Sequence, residues 1–151
     1  MPLEEYRENP KRGVFVHTNI DNLLVNQIAP QIIGLRADGA SPITVYIDSL
    51  GGSTFHAQKI IDLLETPTQD GSKCKTITVA YGFAASAAAD LLALGDYAIA
   101  YPTSIIHYHG TRQRHSEITV DNIDTIATTL QHQNEQFAMR LASRMLRRLV
   151  F

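Results

Sequence analysis

One serine and two histidines are the side chains best suited to chemistry in this chain. Ser86 stands among five alanines in the stretch Tyr81–Asp90, directly after a strand-like run. A serine hydroxyl is a good nucleophile only beside a base, and imidazole is the usual base at neutral pH. His107 and His109 are the candidate bases, because alternation along a strand would place both on one face. This combination indicates acyl transfer.

Backbone N–H groups could supply the rest of such a site. The pattern predicts a tight strand-to-helix turn, with Gly82 making the bend and Ser86 near the helix start, where unpaired N–H groups stabilise negative charge. Gly51, in a second glycine-rich turn, and Ala87 are the candidate donors to an oxyanion. Each feature also has an ordinary explanation, as a helix cap beside packed alanines or as glycine turn geometry.

Two other kinds of site are compatible with single motifs. The pair Gly51–Gly52 could cradle a phosphate, but its spacing fits neither a Walker loop nor a dinucleotide fingerprint. His107 and His109 could be two metal ligands, but no third ligand stands at motif spacing. We therefore predict no metal and no cofactor. The remaining histidines are expected at surface or packing positions: His17, His56, His115 and His132.

The order of the predicted elements places the two glycine-rich turns at one edge of a sheet. Strands alternate with helices, which predicts an α/β fold of βαβ units with a largely parallel sheet. The predicted strands cover residues 13–17, 43–47, 76–80, 97–101 and 105–109. Both turns follow strands of consecutive units, so they should lie side by side where sites form in such sheets. In the first helix, Pro30 should cause a kink or mark a second start.

Two segments lie outside this alternation. Residues 1–12 are polar and contain two prolines, which predicts a flexible arm before a single domain over residues 13–151. A long helix begins at Thr119 and is polar all round between residues 131 and 136. Such a helix is expected to project from the body or to pack against a partner.

The composition is that of a globular protein and excludes several classes. With 151 residues, 44% of them hydrophobic and 19% charged, the chain can bury a proper core. A net charge of −2 gives no indication of a nucleic-acid or membrane partner. Cys74 is the only cysteine, which excludes an internal disulfide. The chain has no apolar run of signal-peptide or membrane-spanning length, so we predict a cytoplasmic protein.

Three motifs together resemble the proteolytic subunit of the Clp protease family, in both order and spacing. They are Ser49–Ser53, Gly82–Ala89 and Pro102–His109, and the resemblance covers roughly residues 13–145. It implies a crotonase-like α/β fold in which the helix from Thr119 is the handle that joins stacked rings. It also implies a serine endopeptidase, a homo-oligomeric ring and an ATP-driven AAA+ unfoldase that feeds in unfolded protein or peptide substrates.

The resemblance also assigns roles to individual residues. Ser86 matches the family's nucleophile, and His109 rather than His107 matches its base. Gly51 and Ala87 match the oxyanion-hole amides. Gly52 and Ser53 are expected to contact the substrate. ATP would be used by the partner unfoldase alone, so the chain itself needs no cofactor.

The sequence departs from the family pattern at several positions. Leu50 stands where the family usually has proline, Ala87-Ala88 where it has Met-Gly, and Gly110-Thr111 where Gln-Pro follows the base. The family's catalytic aspartate lies after the handle helix, and we expect this chain to lack that C-terminal segment. The other acids that could replace it are Asp90, Asp96, Asp121 and Asp124. A weakly active or inactive assembly subunit, and a crotonase-type acyl-CoA enzyme, therefore remain alternatives to the peptidase.

Overall fold

The computed structural model describes residues 6–110, 112 and 118–149. The chain divides between Tyr108 and His109 into two compact units. The first unit contains the sheet and three helices, and the second contains the long helix. The single domain over residues 13–151 stays a prediction.

The first unit is built on a five-stranded parallel sheet. Its strands are β1 (Gly13–Val16), β2 (Ile43–Ser49), β3 (Thr76–Ala85), β4 (Tyr97–Ala100) and β5 (Ile105–His107). The order is β1-β2-β3-β4, and β5 pairs with the end of β3 beyond the stretch that pairs with β4. All pairings are parallel. The predicted α/β fold with a largely parallel sheet is therefore confirmed.

Three helices connect these strands and bury their apolar faces. They are α1 (Asn22–Ala37), α2 (Thr54–Glu65) and α3 (Ala87–Leu94). α1 contacts α2, and α2 contacts α3, so the helices form one layer. Each contributes at least one fully buried side chain, namely Ile28, Ile60 and Leu91. The run Ile43–Ile47 is buried throughout, as expected of a strand covered on both faces.

α1 runs through Pro30 as one helix, so Pro30 does not mark a second start. Proline removes one N–H and leaves the carbonyl four residues earlier, that of Asn26, without its helical partner. Both residues are exposed, so water can satisfy that carbonyl. The helix begins after Asp21, whose carboxylate accepts a hydrogen bond of 3.0 Å from Leu24 N–H.

The described part of the N-terminal arm is packed, which differs from the expected flexible arm. Pro10–Arg12 forms a 3₁₀ turn, and Arg12 is buried. Its guanidinium Nη2 donates to the carbonyls of Leu35, Gly39 and Ser41 at 2.7, 3.0 and 3.1 Å. The arm is therefore anchored to the end of α1 and the loop that follows.

The ends of all five strands differ from the prediction, and those of β3 and β5 lie beside Ser86. β3 continues to Ala85, so the turn into α3 lies at Ser86 rather than at Gly82. A Cβ at Gly82 would overlap the Asp48 carboxylate, so glycine leaves room for that side chain. β5 ends at His107, so strand alternation does not determine the direction of His109.

The second unit consists mainly of α4 (Val120–Leu149), and this confirms the predicted helix after Thr119. Its first turn is held by Thr119, whose carbonyl accepts from Asn122 N–H and Ile123 N–H at 3.2 and 3.1 Å. Val120 and Met139 are 90% and 72% exposed. Whether this helix packs against a partner stays a prediction.

Candidate active site

Ser86 forms the turn between β3 and α3 in an unusual backbone conformation. Its φ is 55° and its ψ is −128°. Among the residues that the structure describes, it is the one non-glycine residue with positive φ. Such conformations cost on the order of 1–3 kcal/mol and cluster at functional sites. Ser86 occupies the N-cap position of α3, but its side chain makes no capping hydrogen bond. The hydroxyl is therefore not used as a helix cap.

Backbone hydrogen bonds on both sides hold Ser86 in this conformation. Its N–H donates to the carbonyl of His107 on β5 at 2.8 Å. Its carbonyl accepts from Ala89 N–H at 2.9 Å and from Asp90 N–H at 3.2 Å. A strained turn between a strand and a helix is the geometry that exposes the catalytic serine of α/β-hydrolases.

Gly51 packs directly against this turn. A Cβ on Gly51 would lie 2.5 Å from the Ala85 carbonyl oxygen, 2.7 Å from Ser86 Cβ and 3.1 Å from Ala87 N. Its φ of 99° is also one that glycine tolerates best. The structure thus brings together Gly51, Ser86 and Ala87, three of the residues that the sequence assigns to the site. As the first residue of α3, Ala87 has an N–H with no acceptor inside the helix.

Gly52 and Ser53 are held by the chain that precedes α1. Gly52 pairs with Ile20 in an isolated bridge, and a Cβ on Gly52 would overlap the Ile20 backbone. Ser53 N–H donates to the Ile20 carbonyl at 2.8 Å, and Ser53 Oγ accepts from His56 N–H at 3.3 Å. Both residues have clear structural roles, and substrate contact by either one stays a prediction.

His109 is the first residue of the second unit. Its Nδ1 lies 2.7 Å from the carbonyl oxygen of Gly110. A carbonyl can only accept, so this contact places a proton on Nδ1 and leaves the lone pair of the neutral ring on Nε2. That is the tautomer a general base needs. His107 lies in the first unit, where its carbonyl holds Ser86.

Comparison with known proteins decides the family. The model of the Clp protease family matches residues 7–148. The chain belongs to the Clp protease family. It is 31% identical over 130 residues to ATP-dependent Clp protease proteolytic subunit 3 of Streptomyces coelicolor, which covers 80% of this chain and 58% of that protein. It is 33% identical over 137 residues to proteolytic subunit 1 of Thermobifida fusca, covering 87% of this chain and 59% of that protein.

A third relative is also named as a proteolytic subunit of an ATP-dependent Clp protease. Proteolytic subunit 4 of Rhodococcus jostii is 35% identical over 109 residues, covering 68% of this chain and 53% of that protein. The chain thus spans about half the length of the curated relatives it matches.

The four acids that the sequence offers as partners of the base lie in different parts of this member of the Clp family. Asp96 accepts from Thr76 N–H at 2.8 Å, at the end of β3 opposite Ser86, which excludes it from the site. Asp90 lies one helical turn after Ser86. Burial, together with the nearby Asp90 charge, raises the pKa of Tyr108. Asp121 and Asp124 belong to α4 in the second unit.

Asp48 helps to position the strand that leads to Ser86, and the sequence motifs did not single it out. Its Oδ1 accepts from Phe83 N–H at 2.8 Å, next to the point where the β2–β3 register shifts. This contact guides β3 past Gly82 toward Ser86. An acidic residue at the end of a buried apolar strand was the available signal, because a carboxylate there can accept a charge-assisted hydrogen bond from a backbone N–H.

Neither a metal-ligand cluster nor a membrane-spanning helix is found in the described part of the chain. Residues 6–110, 112 and 118–149 contain no group of three or more His, Cys, Asp or Glu side chains placed to hold a metal ion. Over the same residues, no helix is both long and apolar enough to cross a membrane.

Proposed function

We propose that this chain is a serine endopeptidase, the proteolytic subunit of an ATP-dependent Clp-like protease, with Ser86 as nucleophile and His109 as base. The observation that carries the proposal is the strained Ser86 turn, whose hydroxyl caps no helix while Gly51 packs against it. Membership of the Clp protease family and the order of the three motifs support it.

The reaction divides into acylation and deacylation. Ser86 Oγ attacks the peptide carbonyl carbon while its proton passes to His109 Nε2. The N–H groups of Gly51 and Ala87 stabilise the oxyanion. The C–N bond then breaks, and His109 returns the proton to the leaving amine. Water attacks the acyl ester, its proton passes through His109 to Ser86, and the acid product leaves.

The contact of His109 Nδ1 with the Gly110 carbonyl supports the role of His109 as base, because it leaves the lone pair of the neutral ring on Nε2.

The remaining parts of the proposal concern assembly. The relatives are named as subunits of an ATP-dependent protease. By analogy, this chain would assemble into a homo-oligomeric ring in the cytoplasm and receive unfolded polypeptides from an AAA+ unfoldase. ATP would be consumed by that partner, and the chain itself would use no cofactor. The family membership favours this function over an acyl-CoA enzyme.

Hydrolysis of fluorescently labelled unfolded casein tests the proposal. Wild type should release fluorescent peptides, whereas Ser86→Ala and His109→Ala should lose at least about 100-fold in rate. His107→Ala keeps the backbone carbonyl that holds Ser86, so it discriminates between the two histidines. Greater loss in His107→Ala than in His109→Ala would contradict the assignment of the base. A wild type that forms rings by size exclusion but cleaves nothing would favour the inactive assembly subunit.

A further inference from the structure

The hydroxyl of Ser49 accepts a hydrogen bond from the backbone N–H of Gly51, which is one of the two groups proposed to bind the oxyanion. Gly51 N–H donates to Ser49 Oγ at 3.1 Å. Ser49 is 4% exposed, and its hydroxyl donates to the Thr18 carbonyl at 2.6 Å. Because its own proton is committed to Thr18, Ser49 Oγ can only accept from Gly51. The donor of the proposed oxyanion hole is therefore already in use.

Only one peptide group has to move to release this N–H. The Gly51 carbonyl, which belongs to the next peptide, accepts from Ile20 N–H at 2.9 Å and can stay in place. Leu50 is 72% exposed, so its side chain can follow a rotation of the Leu50–Gly51 peptide through solvent. Gly51 has no Cβ to hinder the accompanying change in φ.

We propose that Ser49 is a positioning residue. Its hydrogen bond with Gly51 N–H, called the latch below, holds this N–H away from the oxyanion position in the resting enzyme. Acylation then requires the latch to open, and the lost hydrogen bond adds to the barrier. This inference rests on the proposed function, because it concerns the oxyanion donor of the Ser86 reaction. It goes beyond that function by assigning to Ser49 a role in setting the acylation rate.

Removal of the acceptor should therefore speed the reaction. A neutral hydrogen bond within a protein has a net strength that corresponds to roughly two- to tenfold in rate. Ser49→Ala should react with a fluorophosphonate, whose phosphonyl oxygen enters the oxyanion position, two- to tenfold faster than wild type by this estimate. Damage to the fold alone would slow labelling, so an increase separates the latch from a merely structural role.

Two further variants complete the test. Ser49→Thr keeps a hydroxyl and should label at the wild-type rate. Ser104→Ala removes another serine hydroxyl that donates to a backbone carbonyl, that of Ala80 at 2.7 Å, without touching Gly51, and should leave the rate unchanged. If Ser49→Ala does not fold by thermal melting, Ser49→Cys fills the site with a weaker acceptor and should give a smaller increase.

The outcomes separate the latch from the proposed function. Faster labelling of Ser49→Ala, with wild-type rates for Ser49→Thr and Ser104→Ala, supports the latch. Labelling of wild type with an equal or slower rate in Ser49→Ala, or in Ser49→Cys if that variant replaces it, overturns the latch and leaves the proposed function intact. No labelling of wild type and Ser49→Ala alike would overturn both.

Discussion

At the scale of single residues, the conformation of Ser86 is the feature that most needs explanation. An L-residue at φ 55° and ψ −128° crowds its Cβ against the backbone, whereas glycine has no such penalty. Two sets of hydrogen bonds maintain the conformation. Ser86 N–H donates to the His107 carbonyl, and the N–H groups of Ala89 and Asp90 donate to the Ser86 carbonyl. A residue that served only as a helix cap would gain nothing from this strain.

Replacement of Ser86 by glycine should separate stability from activity. Ser86→Gly should unfold with a free energy about 1–2 kcal/mol higher than Ser86→Ala, because only alanine retains the strained Cβ. Both variants should be inactive. Urea denaturation of the two proteins measures the difference. A Ser86→Gly protein no more stable than Ser86→Ala would show that the turn is not strained.

The sequence identifies Ser86 but does not predict its strain. Its alanine neighbours and the distant histidines are visible as a pattern, and they lead to the proposed nucleophile. The positive φ depends on a hydrogen bond to the His107 carbonyl, 21 positions later in the chain. Local propensity contains no information on that contact. The sequence does not predict the hydrogen bond from Gly51 N–H to Ser49 Oγ for a similar reason. This bond depends on the exact direction of the Leu50–Gly51 peptide.

At the scale of elements, the loop after β2 and the turn after β3 form one packed unit. The small residues on both sides allow Gly51 to approach the backbone at Ala85 and Ala87. The predicted end of β3 at residue 80 was wrong, because Tyr81–Ala85 contains small residues typical of a turn. Pairing with β5 and the bond from Phe83 N–H to Asp48 keep that stretch extended.

This close approach predicts a large cost for any side chain at position 51. Gly51→Ala should lower the free energy of unfolding by at least about 3 kcal/mol, since overpacking against backbone adds to the strain of positive φ. Gly71→Ala is the matched control, because Gly71 has a φ of 82° with no atom within 4 Å of the added Cβ. It should cost about 1 kcal/mol. Equal losses in urea denaturation would contradict the packing of Gly51 on the Ser86 turn.

At the scale of the whole molecule, alternation of strands and helices was enough to predict the fold class. Consecutive βα units and the near absence of other patterns leave few topologies, and the parallel sheet follows chain order from β1 to β4. The anchoring of the arm could not be predicted, because Arg12 is one basic residue in a polar stretch. Its burial depends on carbonyls at residues 35, 39 and 41 that the fold brings together.

The most direct test of the central claim is the position of a covalent adduct. Wild-type protein is treated with a fluorophosphonate, digested and sequenced by tandem mass spectrometry, with Ser86→Ala treated in parallel. The account predicts one phosphonate on Ser86 of the wild type and none on the variant. An adduct on a different residue, or equal labelling of Ser86→Ala, would contradict Ser86 as the nucleophile.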